Sequence, residues 1–414
     1  MKIVVIIPTY NEKVNMEKML PMLLTDVFPK IKNHEMHILV ADDKSPDGTA
    51  DVVRTYMKKH KNIELMLGEK KGLGAAYARA MQYAMETMKA EAVVEFDADF
   101  QHDPGDIPRL IKAMDAGADH VIGSRYVPGG EIPKEWGLHR KLMSSLGSLF
   151  ARVVWLKFHI HDMTSGYKLT RTTTLRKVKL NQLLSYYYAY KMHILHDILR
   201  TKAVVTEVPI IFYERKEGSS KIEKKDLFDS FYVVLMLRLQ DSKRLIKFLF
   251  VGGTGFLLQL LVQEITIRTG VAFFIAGVVS VILSTFTQHS DISTLGQSIG
   301  AGLGAEMAIL SNFFFNNYWT FSDTRGMKER SKPWMRLFKF NSASFLSILI
   351  QSVAVWIGIK ALGDSINFLT YDIPTRIIIV IPTIILIIIP LNYLIYNRLI
   401  WKTQYLKHGK TSQA

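Results

Sequence analysis

The sequence predicts an α/β domain with a Rossmann-like, mostly parallel sheet, followed by an all-α domain of four transmembrane helices. Three observations carry this. β-branched runs alternate with helix-spaced segments up to about residue 224. The polar clusters of that half fall at the carboxyl ends of the runs. Beyond about Lys243, long apolar stretches with few charges take over.

The elements follow in order. "IVVIIP" (Ile3 to Pro8) is a continuous apolar run, as expected of a parallel strand buried on both faces. "NEKVNMEKMLPMLLTDVF" has helical spacing, and "HILVADD" (His37 to Asp43) is the next strand, ending in two carboxylates. "SPDGTADVVRTYMKK" supplies a turn and a helix, "IELMLG" a third strand, and "KKGLGAAYARAMQYAMET" a glycine turn opening a helix. "AVVEFDAD" is the fourth strand. Strands alternating with helices give a doubly wound sheet, whose ligands lie outside the carboxyl ends of its strands. Thr9 to Glu12, Asp42 to Asp47, Lys71 to Gly74 and Asp97 to Asp103 all fall there. "KKGLGAA" is not G-x-G-x-x-G and lacks an acidic residue at the expected distance, which argues against a dinucleotide fold; Gly72 and Gly74 are expected to shape a turn.

Composition bounds the chemistry. The 414 residues carry a net charge of +15, which points to an anionic partner: nucleic acid, a membrane surface or phosphates; with the motifs taken up below, no nucleic-acid partner is expected. There is no cysteine, so disulfides, thiolate catalysis and Cys-based metal sites are excluded. The apolar part of "MKIVVIIPTYNE" is too short for a signal peptide, so the first domain is expected in the cytoplasm.

In "EFDADFQHDP" (Glu95 to Pro104), Asp97 and Asp99 are two apart and would face one way in an extended chain. Two carboxylates ~5 Å apart repel by roughly 3 kcal/mol at an effective dielectric of 20. A divalent cation removes that cost, and all-oxygen ligation suits Mg²⁺ or Mn²⁺. Gln101 continues the alternation and could add a third oxygen. The alternative is a solvated acidic loop with an Asp helix cap.

"IIPTYNE", "VADDKSPDGT", "GLGAA", "DADFQHDP", "GSRY" and "DMTSGYK" occur in this order. Together they resemble the family-2 glycosyltransferases of GT-A fold, in the branch that transfers mannose to dolichyl or other polyprenyl phosphates. The resemblance covers roughly residues 1 to 225. It implies that Pro8, Tyr10, Glu12, Asp42 and Asp43 bind the nucleoside. It implies a metal and sugar diphosphate on Asp97, Asp99 and Gln101, and a catalytic or acceptor-phosphate role for Arg125. Two departures matter: Met163 stands where the family usually has Pro, and Asp103 where it often has Pro. The second adds a carboxylate near the metal. His102 is the nearest His, and a structural role is expected for it.

"WGLHRKLMSSLGSLFARVVWLKF" (Trp136 to Phe158) sets Leu142, Leu146, Leu149, Phe150, Val153 and Leu156 at helical spacing, beside His139, Arg140, Lys141, Arg152 and Lys157. Such a basic amphipathic helix reads as lying on a membrane surface; packing on the soluble core is the alternative. Lys225 to Arg244 is a second interfacial candidate. "FYERKEGSSK" resembles the family's R-x-x-G-x-S-K loop, which implies that Arg215, Ser220 and Lys221 sit near the diphosphate or acceptor phosphate. Arg140 and Ser144 resemble the family's acceptor-phosphate contacts. Domains are thus expected at 1–224, 225–244 and 245–414.

Spans are expected at 245–267, 299–321, 337–361 and 373–395. Lys and Arg cluster before the first, after the second and after the last, with none from Thr269 to Thr324, so these three segments are placed in the cytoplasm. Val271 to Phe286 is then not a full span. An internal repeat agrees: "KFLFVGGTGFLLQ" (Lys247 to Gln259) parallels "KFNSASFLSILIQ" (Lys339 to Gln351) at an offset of 92, and "SNFFFNNYWTF" (Ser311 to Phe321) parallels "LNYLIYNRLIW" (Leu391 to Trp401) at an offset of 80. The two hairpins resemble the GtrA-type four-helix domain. Glu264 and Glu306, carboxylates in or near spans, are candidates for function or interhelical bonding.

The expected reaction is metal-dependent, inverting transfer of mannose from GDP-mannose to a polyprenyl (dolichyl) phosphate at the cytoplasmic face of the cell membrane. The acceptor phosphate, with a second pKa near ~6, is its own nucleophile and needs no general base. Arg215 and Lys221 would offset repulsion between two anionic substrates. The alternatives are UDP-glucose as donor and, in another class, a lipid-linked sugar flippase.

Overall fold

The computed structural model describes residues 1–214, 224–283, 292–324, 333–363, 365–368 and 371–401. The chain folds as two compact units, Met1–Gln240 and Asp241–Ala414.

The first unit is built on a seven-stranded sheet. β1 (Lys2–Thr9), β2 (Glu35–Asp42), β3 (Ile63–Leu67) and β4 (Ala92–Glu95) are joined by α1 (Lys13–Pro21), α2 (Thr49–Met57) and α3 (Leu73–Glu86). These are the four strands read from the sequence. Three others were not: β5 (His120–Ser124), β6 (Lys168–Arg171) and β7 (Val205–Pro209). The order is β3-β2-β1-β4-β6-β5-β7, parallel except that β6 runs against both neighbours. That reversal sets Lys168 opposite Glu95, so the loop entering β6 arrives where β4 ends.

Both faces of the sheet are covered, which explains the unbroken apolar run of β1. Ile3, Val5 and Ile7 pack with Met16, Met19 and Leu20 of α1 on one side; Val4 and Ile6 pack with Tyr77, Ala80, Met81 and Ala84 of α3 on the other. Each such side chain contributes about 1.5–3 kcal/mol on burial. Small residues let α3 approach closely. A Cβ on Gly74 would lie 2.5 Å from the Tyr190 Cβ, so this position admits only glycine without a shift.

α4 (Ile107–Asp115) precedes β5, and α5 (Leu138–Trp155) follows it. The short α6 (Thr172–Leu175) and α7 (Tyr190–Leu199) lead to β7. α5 has two faces, one packed on the domain and one exposed. Ser148, Ala151 and Trp155 are buried, while Leu138, Leu142, Leu146, Leu149 and Val153 form an exposed apolar stripe. Its partner is the start of α8 (Lys224–Arg268): Phe150 packs edge-on to Phe231, and Trp155 Nε1 donates to the Val234 carbonyl at 3.1 Å. Phe228, Tyr232, Leu235 and Leu239 of α8 are likewise exposed. The sequence reading ended an interfacial helix at residue 244 and began a span at 245; the chain instead makes one helix of 45 residues. "DSKRLIK" is charged but holds no Gly or Pro, so nothing stops the helix.

Four helices are long and apolar enough to cross a bilayer: Lys225–Arg268, which begins in the first unit, and Leu295–Thr320, Pro333–Leu362 and Ile378–Ile400 of the second. Val271–Leu283 is a helix of 13 residues, about 20 Å long and short of the ~30 Å hydrocarbon core. Two short paired strands, Ser365–Phe368 and Tyr371–Pro374, precede the last helix. Glu264 pairs with Arg268 on its own exposed helix surface at 2.6 Å, and Glu306 is exposed.

The repeat is visible as exchanged partners. Phe313 packs edge-on to Phe340, and their repeat mates Tyr393 and Phe248 pack together, at 5.7 and 5.5 Å. Phe321 and Trp401, themselves mates, stack at 4.4 Å and 4°. The two hairpins are therefore related by a pseudo-two-fold axis, a parallel repeat. Asn392 bonds Ser347 in the second hairpin, while its mate Asn312 lies against Gly255, where a Cβ would meet Asn312 Oδ1 at 2.2 Å. Each closing helix also carries a π-turn at the same repeat position, Asn316–Thr320 and Tyr396–Ile400.

Candidate active site

The carboxyl ends of β1, β2 and β4 gather the expected nucleoside and metal residues. Pro8 lies near the end of β1, opposite Ala41. Asp42 is fully buried and consumed by the fold: Thr9 Oγ1 and Ser45 Oγ donate to its Oδ1 at 2.8 and 2.6 Å, and the Ser45 N–H to Oδ2 at 2.8 Å. Asp43 accepts from Arg79 Nη2 at 2.6 Å; burial raises its carboxyl above the ordinary range although Arg79 opposes this. The Lys70 ammonium sits 3.6 Å over the Tyr10 ring, and Glu12 accepts from Asn15 Nδ2 at 2.7 Å.

Asp97 and Asp99 do not lie on an extended strand. Strand pairing stops at Glu95 opposite Lys168, and the chain turns, with Phe100 left-handed at φ 58°. The alternation argument for Asp97, Asp99 and Gln101 therefore does not apply; all three sit in the turn that follows β4. Tyr77 Oη donates to Asp97 Oδ1 at 2.9 Å, and the Gln101 N–H to Asp99 Oδ1 at 3.1 Å. The Gln101 carbonyl accepts from the Tyr213 N–H at 2.9 Å. Asp103 does not add to this group: its carboxylate caps the next turn by accepting from the Gly105 N–H at 2.7 Å.

Beneath the loop lies a layer that sequence reasoning missed. Tyr77 stacks on Tyr190, whose hydroxyl donates to buried Glu95 at 2.9 Å. Burial raises the Glu95 carboxyl and lowers the Lys168 ammonium to about 8. A Cβ on Gly166 would lie 3.1 Å from the Lys191 Nζ, 3.5 Å from Asp97 Oδ2 and 3.6 Å from His102 Nε2, so these three groups converge on a glycine gap. Gly166 falls inside the noted "DMTSGYK"; Lys191 carried no signal beyond being a lone cation in an apolar helix. His102 is buried against Tyr167 and Phe212, and burial pushes its imidazole down to about 3. It is neutral and a weak base.

Arg125 is locked. Its Nε and Nη2 donate to the two oxygens of buried Asp162 at 2.7 Å each, and Nη2 also donates to Thr164 Oγ1 at 2.8 Å. Phe212 covers the guanidinium at 5.3 Å. Burial alone would raise the Asp162 carboxyl, but Arg125 holds it below the ordinary range. Met163 fills a core position, and its N–H donates to Ser148 Oγ at 3.0 Å, a bond that proline could not make. Arg140 stacks 4.1 Å over Trp136, and Ser144 Oγ accepts from Tyr126 Oη at 2.6 Å. Arg215, Ser220 and Lys221 lie outside the described residues.

Residues 4–179 match the family model of glycosyl transferase family 2, and residues 247–401 that of the GtrA/DPMS transmembrane domain. A dolichol-phosphate mannosyltransferase from Pyrococcus furiosus is 30% identical over 86% of this chain and 90% of its own length. The chain belongs to glycosyl transferase family 2. Its first unit has the GT-A fold, its second is a GtrA/DPMS transmembrane domain, and it is a glycosyltransferase of the membrane. A polyprenol monophosphomannose synthase from Mycolicibacterium smegmatis is 36% identical over 56% of this chain and 84% of its own. The crystal structure of mannosyl-3-phosphoglycerate synthase from Rubrobacter xylanophilus is 18% identical, covers 59% of this chain and 75% of its own, and gives a TM-score of 0.44.

For such a glycosyltransferase the chemistry of the loop is testable against a metal. Among the described residues no group of three or more His, Cys, Asp or Glu is placed to hold a metal ion by itself. The pair Asp97 and Asp99 with the Gln101 amide is an all-oxygen set, which fits a hard divalent cation that takes its remaining ligands from a diphosphate.

Proposed function

We propose that this glycosyltransferase moves mannose from GDP-mannose to a polyprenyl phosphate such as dolichyl phosphate, inverting the anomeric carbon, on the cytoplasmic face of a membrane it crosses several times. The observation that carries the reading is the Asp97–Asp99–Gln101 turn at the joint carboxyl ends of β1, β2 and β4, in a chain whose relatives are named for polyprenyl-phosphate mannosyl transfer. Asp97, Asp99 and Gln101 would hold Mg²⁺ or Mn²⁺, which when bound neutralises the leaving nucleoside diphosphate. Tyr77 orients Asp97 by its hydrogen bond. Pro8, Tyr10, Glu12 and Asp43 line the nucleoside end, while Asp42 shapes it from beneath.

The acceptor phosphate attacks directly, which suits a site whose one nearby imidazole, His102, stays neutral. Arg140 and Ser144, on the face of α5 flanking Tyr126, hold the acceptor phosphate, with Arg215 and Lys221 as further contacts. Arg125 positions this end of the site through Asp162 and Tyr126 rather than by a free guanidinium. The exposed stripes of α5 and α8 rest at the bilayer surface and set the height of the headgroup.

The test is a donor screen on the full chain in vesicles containing undecaprenyl phosphate, with Mg²⁺ or Mn²⁺ and labelled GDP-mannose, UDP-glucose or UDP-N-acetylglucosamine. Label entering lipid from GDP-mannose alone, and lost in Asp99→Ala, supports the reading. Transfer from UDP-glucose instead overturns the donor. Lipid binding without transfer from any donor favours a lipid-linked sugar flippase.

A further inference from the structure

The internal repeat provides a control for each of its own residues, and one pair breaks the symmetry. Arg244 and Arg336 are mates at the offset of 92, within "RLIK" and "RLFK". Arg244 has an acceptor at both terminal nitrogens: its Nη1 donates to Asn397 Oδ1 at 3.3 Å, its Nη2 pairs with Asp323, and it lies over the Phe321 ring. Arg336 is 5% exposed, and its Nε and Nη1 have no acceptor among the described residues.

The sequence explains the loss. The mate of Asn397 is Asn317, but Trp401 Nε1 donates to Asn317 Oδ1 at 3.3 Å. Trp401 stands where the first repeat has Phe321, which has no N–H to give. The mate of Asp323 is Thr403, which carries no charge and lies outside the described residues. Of the two counterparts to the acceptors of Arg244, one is thus engaged by Trp401 and the other is replaced by threonine, while the arginine is kept. A buried guanidinium without a counter-ion is strongly unfavourable. Arg336 is also one turn inside Pro333–Leu362, the level at which a span meets headgroups.

We propose that Arg336 is the anion contact of a lipid-binding site in the second unit, and that its ligand is the phosphate of a membrane-lipid headgroup. Planar guanidinium N–H groups match phosphate oxygens in pairs. The argument uses residues of the second unit alone and does not rest on the donor or reaction proposed above.

The test is native mass spectrometry of the delipidated full chain, offered phosphatidylglycerol, undecaprenyl phosphate, phosphate-free diacylglycerol or inorganic phosphate, with no sugar donor present. The wild type is expected to retain a phosphate-bearing lipid over diacylglycerol, and Arg336→Gln to weaken that retention by about tenfold or more, the loss of one charge-assisted contact. Trp401→Phe restores the first repeat's residue, frees Asn317 Oδ1 for Arg336, and is expected to weaken retention while leaving the arginine in place. Preference for undecaprenyl phosphate assigns a polyprenyl lipid; equal retention of both assigns phospholipid. Binding of inorganic phosphate without either lipid overturns the lipid assignment. So does unchanged retention in Arg336→Gln, or in Trp401→Phe should Arg336→Gln not fold. Glu329 is the one acidic side chain in 325–332 and 402–414. Should it already neutralise Arg336, the wild type binds no phosphate lipid and Glu329→Gln gains binding, which also overturns the proposal.

Discussion

Asp162→Asn is the most informative single change in the first unit. It keeps the shape of the side chain and removes the charge facing Arg125. The pair has 7% and 0% side-chain exposure, so solvent does not screen it. Breaking a buried pair from one side leaves an uncompensated charge and costs about 3–5 kcal/mol. For a unit of this size each kcal/mol lowers Tm by about 2–4 °C, so a fall on the order of 10 °C is expected. Intrinsic tryptophan fluorescence during heating of the detergent-solubilised chain reads it. Arg125→Met with Asp162→Asn closes a double-mutant cycle, and the double variant is expected to recover about 2 kcal/mol relative to the sum of the singles. The pH dependence has a definite sign. The Asp162 carboxyl is held low in the folded chain, so its contribution is present above its ordinary pKa and is lost as pH falls through the folded value. A folded Asp162→Asn protein melting within about 1 °C of wild type would refute the positioning role and return Arg125 to direct phosphate contact.

Three further outcomes are expected. Gly166→Ala pushes a methyl group into the gap shared by Lys191, Asp97 and His102; turnover should fall about tenfold or more, with a raised metal requirement in a Mn²⁺ titration and little change in Tm. Leu142→Glu with Leu146→Glu places charges on the exposed stripe of α5; flotation with vesicles should show weaker binding by the isolated first unit if it folds alone, and the full chain should keep its Tm while losing activity on long-chain acceptors. His102, near 3 when folded against an ordinary 6.5, lets the unfolded chain bind one more proton, so stability should fall as pH drops from about 6.5 toward 3 and Tm in that window should flatten in His102→Gln.

Much of this was legible in the sequence where burial imposes a pattern. β1 and β2 announce themselves because both faces of the sheet are covered, and the polar clusters at their ends mark the site. β6, "KLTR", has no apolar run, because its residues are held by neighbours on either side rather than by its own pattern. Asp42 has a part in the fold that its position in the sequence does not reveal: its carboxylate ties Thr9, at the end of β1, to Ser45 in the loop after β2. Arg125 finds Asp162 37 residues away, a distance at which spacing says nothing. For the loop from Asp97 to Gln101 the extended geometry expected from the alternation does not hold: strand pairing ends at Glu95 and the chain turns. In the second unit the offsets revealed the repeat, but not that each hairpin packs its aromatic rings on the other.

The π-turns at Asn316–Thr320 and Tyr396–Ile400 each close on a ring that joins the two hairpins. The Phe321 N–H donates to the Asn316 carbonyl and the Trp401 N–H to the Tyr396 carbonyl, both at 2.9 Å, the i→i+5 bond of a widened turn. Each widened turn therefore fixes the direction in which its ring leaves the helix. Tightening either one to an ordinary α-turn would swing that ring about the helix axis, and because the two rings stack on each other, one such change would unseat both.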